Sequence, residues 1–329
     1  AVAWLVGRVR RDPLPAPLAY PQRLGRWPAA AGIFAFAWLE LVYVHRDDPS
    51  QLALLALAYA AVMLVGMALF GIDTWTRNAD GFAVAFGLYA RLSPLHWHER
   101  RLGVRVPISR APSMPTPAGT IALLAAMIGT TSFDGLSQGD GWGHGEHGIG
   151  VALTDAFSGL ALGAAAADQA ASTVGLFAMC LLVAGLYRLG IAGMRSVGRD
   201  HDATDLALRF AHTLIPISLA YVIAHYFSLL VFQGQATRYL ISDPLGDGSD
   251  LFGTADAVID YGVISASGIW YAQVAALLVG HIAGLARAHD RAPSLWTGRR
   301  TANRSQYWML LVMVTFTCGG LWLLSAVAQ

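Results

Sequence analysis

Gln51-Leu52-Ala53-Leu54-Leu55-Ala56-Leu57-Ala58-Tyr59-Ala60-Ala61-Val62-Met63-Leu64-Val65-Gly66-Met67-Ala68-Leu69-Phe70-Gly71 decides what kind of protein this is. No charged side chain interrupts it. At the α-helical rise it extends about 31 Å, the thickness of a bilayer's hydrocarbon core. Six further stretches, 29–45, 118–135, 172–191, 208–232, 267–287 and 306–327, repeat the pattern. Prolines punctuate the intervals: Pro13, Pro15, Pro17, Pro21 and Pro28 precede the first stretch, and Pro107, Pro112, Pro115 and Pro117 precede 118–135. The expected fold is an all-α, polytopic transmembrane helical bundle of about seven complete spans.

Composition agrees. The 329 residues are 55% hydrophobic and 13% charged, about half the charge of a soluble domain, with a mean hydropathy of +0.49. That excludes a disordered chain and argues against a soluble enzyme. Cys180 and Cys318 lie inside apolar runs and suggest no disulfide framework.

The basic residues are all arginines, and they set the orientation. Segments 1–28, 72–117, 188–209 and 287–305 hold 20 of the 22, while 46–50, 136–171, 233–266 and the C-terminus hold 2. By the positive-inside rule the first group is cytoplasmic. This predicts a multi-pass protein of the plasma membrane with its C-terminus outside. Ala1–Val6 is apolar and is followed, not preceded, by Arg8, Arg10 and Arg11, the reverse of a signal peptide. Residues 1–7 therefore read as the end of a helix, and the single transmembrane domain 1–329 as N-terminally incomplete.

Two apolar segments would break the arginine alternation if they crossed. Phe82–Leu95, with Arg91, is expected to be an interfacial or re-entrant helix on the cytoplasmic side; Val151–Ala167, with Asp155, is its counterpart on the outer side. Gly159 and Gly163 form a GxxxG pair expected to pack on a neighbouring helix.

Polar groups within spans are expensive and mark function or buried partners. Glu40, His225 and Gln273 lie about 8, 10 and 9 Å from the outer ends of their spans, and Asp134 sits at the outer end of its own. Ser218, Tyr221, His225, Ser228 and Phe232 share one helical face, and Trp270, Gln273, His281 and Gly284 share another. Two such stripes are expected to line a cavity open to the outside. His225, Glu40, Asp134 and Gln273 are the candidate catalytic residues, and His225 with Asp134 the candidate ligands of a divalent metal ion. A haem fits poorly, because His225, His281 and His212 lie at unequal depths. His144, Glu146 and His147 sit in a glycine-rich outer loop, expected to be a solvated loop rather than a metal site. No phosphate-binding loop, dinucleotide fingerprint or serine elbow is present, and nothing implies nucleic acid. The arginines of His96-Trp97-His98-Glu99-Arg100-Arg101 are expected to meet lipid headgroups.

Ala220-Tyr221-Val222-Ile223-Ala224-His225-Tyr226-Phe227-Ser228-Leu229-Leu230-Val231-Phe232-Gln233-Gly234-Gln235 resembles a family of actinobacterial membrane proteins that carry the name fenitrothion hydrolase. So do Trp270-Tyr271-Ala272-Gln273-Val274, Gly280-His281-Ile282-Ala283-Gly284, Ala288-His289-Asp290-Arg291, Gly129-Thr130-Thr131-Ser132-Phe133-Asp134-Gly135 and Phe86-Gly87-Leu88-Tyr89-Ala90-Arg91-Leu92-Ser93-Pro94. The resemblance implies hydrolysis of an organophosphate or related ester by a membrane-bound enzyme and assigns no catalytic residue. The residues themselves allow such chemistry: His225 as base or metal ligand, Asp134 and Glu40 orienting it, and Gln233, Gln235, Gln273 and Tyr271 as donors. They equally allow a transporter or channel with a polar intramembrane path, or an accessory subunit that packs against other membrane subunits. The lipid bilayer is a partner under each reading, and a small-molecule substrate under the first two.

Overall fold

A computed structural model describes residues 16–98, 101–144, 148–160, 162–197, 201–296 and 298–327. Twelve helices are defined there: α1 (Trp27–Leu41), α2 (Pro49–Phe70), α3 (Ile72–Asn78), α4 (Gly81–Tyr89), α5 (Thr120–Ser137), α6 (Ile149–Ser158), α7 (Ala164–Val197), α8 (Ala203–Phe210), α9 (Leu214–Phe232), α10 (Thr237–Ser242), α11 (Ala266–Arg291) and α12 (Arg299–Val327). The strands among the described residues, β1 (Leu95–His98) and β2 (Arg101–Val104), form one antiparallel hairpin. Five helical stretches are long and apolar enough to cross a membrane: Pro49–Phe70, Thr120–Ser137, Ala164–Val197, Ala203–Ser242 and Ala266–Ser294. The seven expected spans are thus matched in five. The helix at 29–45 is α1, only 15 residues long, and 306–327 falls within α12, which begins among arginines at Arg299.

α5 is the hub. It packs on α1, α7, α9 and α12, and Leu123 through Thr130 are all buried. Close approach is achieved with small residues, as membrane helix pairs require. Gly280 and Gly284 bring α11 onto α9: a Cβ at Gly280 would lie 2.3 Å from Cβ of Ala220 and 2.9 Å from the Pro216 carbonyl oxygen.

Local chemistry sets the boundaries. Asp48 caps α2, its carboxylate accepting from the N–H groups of Ser50 (2.8 Å) and Gln51 (3.3 Å), and Pro49 occupies the first turn, where its missing N–H costs nothing. The run 208–232 is broken: α8 ends at Phe210 and a 3₁₀ turn, Ala211–Thr213, precedes α9. Pro216 has no N–H to give the His212 carbonyl, so the α-helical ladder cannot pass through it.

Residues 72–89 form a pair of short helices. Beyond Gly71, with φ +83°, α3 folds back along α2, and Trp75 lies over Gly66 with its Nε1–H on Met63 Sδ at 3.3 Å. Asp80 then turns the chain, accepting from the Ala83 N–H (3.0 Å), which starts α4, and from the Tyr59 hydroxyl (2.9 Å). α4 runs crosswise, with Gly81 against Ala29 and Ile33 of α1 and the Tyr89 hydroxyl 2.9 Å from Ser218 Oγ of α9. The expected segment Phe82–Leu95 is therefore a shorter helix followed by a hairpin. Val151–Ala167 divides between α6 and the start of α7. Among the described residues the Gly159/Gly163 pair packs no helix: Gly159 faces its own preceding carbonyls, and nothing lies within 4 Å of a Cβ at Gly163.

Candidate functional site

Glu40 ends α1, Asp134 lies near the end of α5, and His225 lies on α9 where that helix faces both. The hub position of α5 draws the three together. His225 Nδ1 is 3.0 Å from Asp134 Oδ2, and His225 Nε2 is 3.9 Å from Glu40 Oε1. The Tyr226 hydroxyl donates to Glu40, 3.0 Å from each carboxylate oxygen. The imidazole is largely buried, while Glu40 keeps about a third of its side-chain surface open.

Glu40, His225 and Tyr226 form the polar end of a cavity of about 130 Å³, and Asp134 lies behind His225, outside the lining. Met127, Thr130 and Thr131 of α5 form its back wall, Ile33, Phe36 and Ala37 of α1 one side, Val222 of α9 the other, and Phe82, Ala85, Phe86 and Tyr89 of α4 its floor. Both threonine hydroxyls donate to their own helix, Thr130 to Ala126 O (2.8 Å) and Thr131 to Ile128 O (2.9 Å), so the wall is effectively apolar. α1 and α9 make no extended contact; α4 bridges them below and Glu40–Tyr226 above. Phe36 and Phe86, which line the cavity, are both exposed.

Gln273 stands apart. Its Nε2 donates to the Ala224 carbonyl at 2.8 Å, tying α11 to α9 outside the cavity. The expected second stripe also packs rather than lines: Gly284 abuts the Thr213 carbonyl, and His281 donates through Nδ1 to Leu277 O (2.8 Å) between Tyr221 and Phe316. The cavity thus lies between α9 and α1, not between α9 and α11. Among the described residues no three His, Cys, Asp or Glu side chains converge as a metal ligand set. Asp134 and Glu40 address opposite ring nitrogens of His225 and so do not point at a common centre. The side chains of His144, Glu146 and His147 lie outside the described residues.

Tyr226, Tyr89 and the aromatic floor escaped the sequence reading. Tyr226 was detectable in principle, since a phenol next to an intramembrane histidine is a ready donor for a carboxylate at the same depth. The floor was not, because it depends on α4 running crosswise. Comparison with family models, curated proteins and solved structures returns no match.

Proposed function

We propose that the protein is an integral-membrane hydrolase of small lipophilic esters, organophosphates among them, whose proton carrier is His225. One observation carries this reading: His225 is held through Nδ1 by Asp134 at 3.0 Å while Nε2 is turned toward Glu40 at the polar end of the cavity. A base whose far nitrogen is oriented by a carboxylate is the arrangement general acid–base catalysis requires. A water seated against both Nε2 and Glu40 gives up a proton to Nε2 as its oxygen attacks the ester phosphorus or carbonyl carbon. The bond to the leaving oxygen then breaks, and that oxygen takes the proton from Nε2. Tyr226 aligns Glu40. The apolar wall receives the ester's substituents. The floor formed by α4 favours a dead-end pocket over a through-path, which is the argument against transport.

The same reading includes the finer topology: α1 and α12 cross together with the five long apolar stretches, the arginine-rich loops are cytoplasmic, and the C-terminus is outside the plasma membrane.

The test is ester hydrolysis by the purified full chain in lipid discs, across chromogenic phosphotriesters and carboxylic esters. His225→Gln should lower the rate by about 10²–10⁴-fold, and Asp134→Asn by a smaller factor, with KM little changed. A wild-type chain inactive on the whole panel, or an unaffected His225→Gln, overturns the reading.

A further inference from the structure

The end of the molecule at which α1 and α5 begin carries two features that the cavity does not use. The first is a group of four guanidiniums. Arg26 caps α1 and is 7% exposed; it donates to Pro115 O (3.1 Å) and Thr120 Oγ1 (3.4 Å), and its Nε has no partner. Arg91 reaches the Arg110 carbonyl at 3.3 Å. Arg105 binds the Ser93 and Ala90 carbonyls at 2.9 and 3.0 Å. Among the described residues none of Arg26, Arg91, Arg105 and Arg110 meets a carboxylate. They meet each other instead: burial and neighbouring Arg91 push Arg26 down to about 10, and burial with Arg110 and Arg105 lowers Arg91. Cations that meet no carboxylate among the described residues gain from an anion placed among them.

The second feature is the hairpin that leads out of this cluster. Its register pairs Leu95 with Val104 and Trp97 with Leu102. Directly opposed residues share a face, so these four apolar side chains form one surface, and each is more than half exposed. On the other face the His96 ring lies over Gly103. An apolar, Trp-bearing face beside a cationic cluster at the end of a membrane bundle has the chemistry of an interfacial anchor.

We propose that Arg26, Arg91, Arg105 and Arg110, with the apolar face of hairpin 95–104, form a binding site for an anionic phospholipid, the guanidiniums taking the headgroup phosphate and the hairpin lying against its acyl chains. Arg forks suit phosphate oxygens through paired N–H donors. The site is independent of the cavity and of the ester chemistry.

The experiment uses the full chain in phosphatidylcholine discs with and without phosphatidylglycerol, delipidated in steps, with retained lipid counted by native mass spectrometry. The wild type should retain phosphatidylglycerol well beyond its share of the disc. Arg91→Gln with Arg110→Gln should cut that preference about 25-fold, roughly fivefold per charge, while Arg209→Gln, whose arginine pairs with Asp205 elsewhere, should leave it unchanged. Arg110→Gln alone covers the case in which the double variant misfolds, because Arg110 is exposed and, among the described residues, only its backbone carbonyl is hydrogen-bonded. Trp97→Ser with Leu102→Ser should lower retention of both lipids. Equal retention of the two lipids by the wild type overturns the proposal. So does displacement of phosphatidylglycerol by inorganic phosphate that binds equally well in discs lacking it, which would make this a free-phosphate site. Unchanged retention in the hairpin variant overturns the hairpin's part.

Discussion

His225 and Asp134 are joined at 3.0 Å between Nδ1 and Oδ2, and this contact ties α9 to α5 at the polar end of the cavity. It fixes the ring plane. Asp134→Asn keeps the size of the acceptor and removes its charge, whereas Asp134→Leu removes both. In detergent, Asp134→Asn should melt near wild type and Asp134→Leu should lose about 1–3 kcal/mol, the cost of a stranded buried partner. Equal melting of the two variants would show that the bond contributes nothing to the fold.

Tyr226→Phe removes the donor shared by both Glu40 oxygens. The expected loss is about 1.5–3 kcal/mol, that of a hydrogen bond to a charged group. The opening between α1 and α9 should widen with it, read as faster labelling of an Ala37→Cys variant by a lipophilic maleimide. Unaltered labelling would mean the Tyr226–Glu40 bar does not gate the opening.

Gly280→Leu drives a side chain into Ala220 and the Pro216 carbonyl. Overpacking of this kind costs about 1–3 kcal/mol. Ala220→Gly in the same chain should recover part of it, because it opens space at the nearest clash. A double-mutant unfolding cycle measures the coupling, and additive losses would refute direct contact.

Gln273→Leu should cost about 0.6–1.7 kcal/mol, the range for hydrogen bonds between membrane helices, and leave ester hydrolysis within a factor of about two. A large fall in kcat with unchanged stability would return Gln273 to the catalytic set.

Asp250 organises the loop after α10. Its carboxylate accepts from the Ser242 hydroxyl and from the N–H groups of Thr254 (2.8 Å) and Ala255 (3.0 Å). The Ser242 bond first, then the backbone donors, hold its carboxyl below the usual carboxylate range. Stability from a depressed carboxyl is present above the unfolded value of about 3.9 and is lost as pH falls through the lower folded value. Proteolysis at 243–257 should therefore be slow near neutral pH and accelerate only below about pH 4. Asp250→Asn should show faster cleavage at neutral pH and a weaker pH dependence, that left by Asp243, whose carboxyl, against the desolvation that raises it, is also held low by the N–H groups of Gly248 and Asp247.

Much of this was legible in hydropathy and charge. Depth along each span placed Glu40, Asp134 and His225 in one stratum, and the fold brings them together because α5 lies between α1 and α9. Helical phase was less informative for Gln273 and His281. A stripe at helical spacing looks the same whether it lines a cavity or packs on a neighbour, and the glycines at 280 and 284 decide for packing through a contact that only tertiary structure shows. The hairpin 95–104 was hidden because the apolar segment reads as ending at Leu95, and two alternating apolar residues per strand, Leu95 and Trp97, Leu102 and Val104, are too short a pattern to mark strands. The 3₁₀ break at 211–213 was missed because the run 208–232 is continuous in hydropathy, and its one local mark is Pro216, whose missing N–H falls four residues on.

Among the described residues α2 has a single buried residue, Gly66, beneath the Trp75 indole, and it is tethered by Tyr59 to Asp80, by the Trp75 indole to Met63 and by the Leu18 N–H to the Leu69 carbonyl. Most of its other side chains are exposed. A saturation library across 49–70 should therefore divide sharply. At most positions any residue that keeps the segment apolar will be tolerated, so their letters carry almost no information beyond solubility in oil. At position 66 anything larger than hydrogen will be rejected, and that one site will report whether α3 has docked on α2.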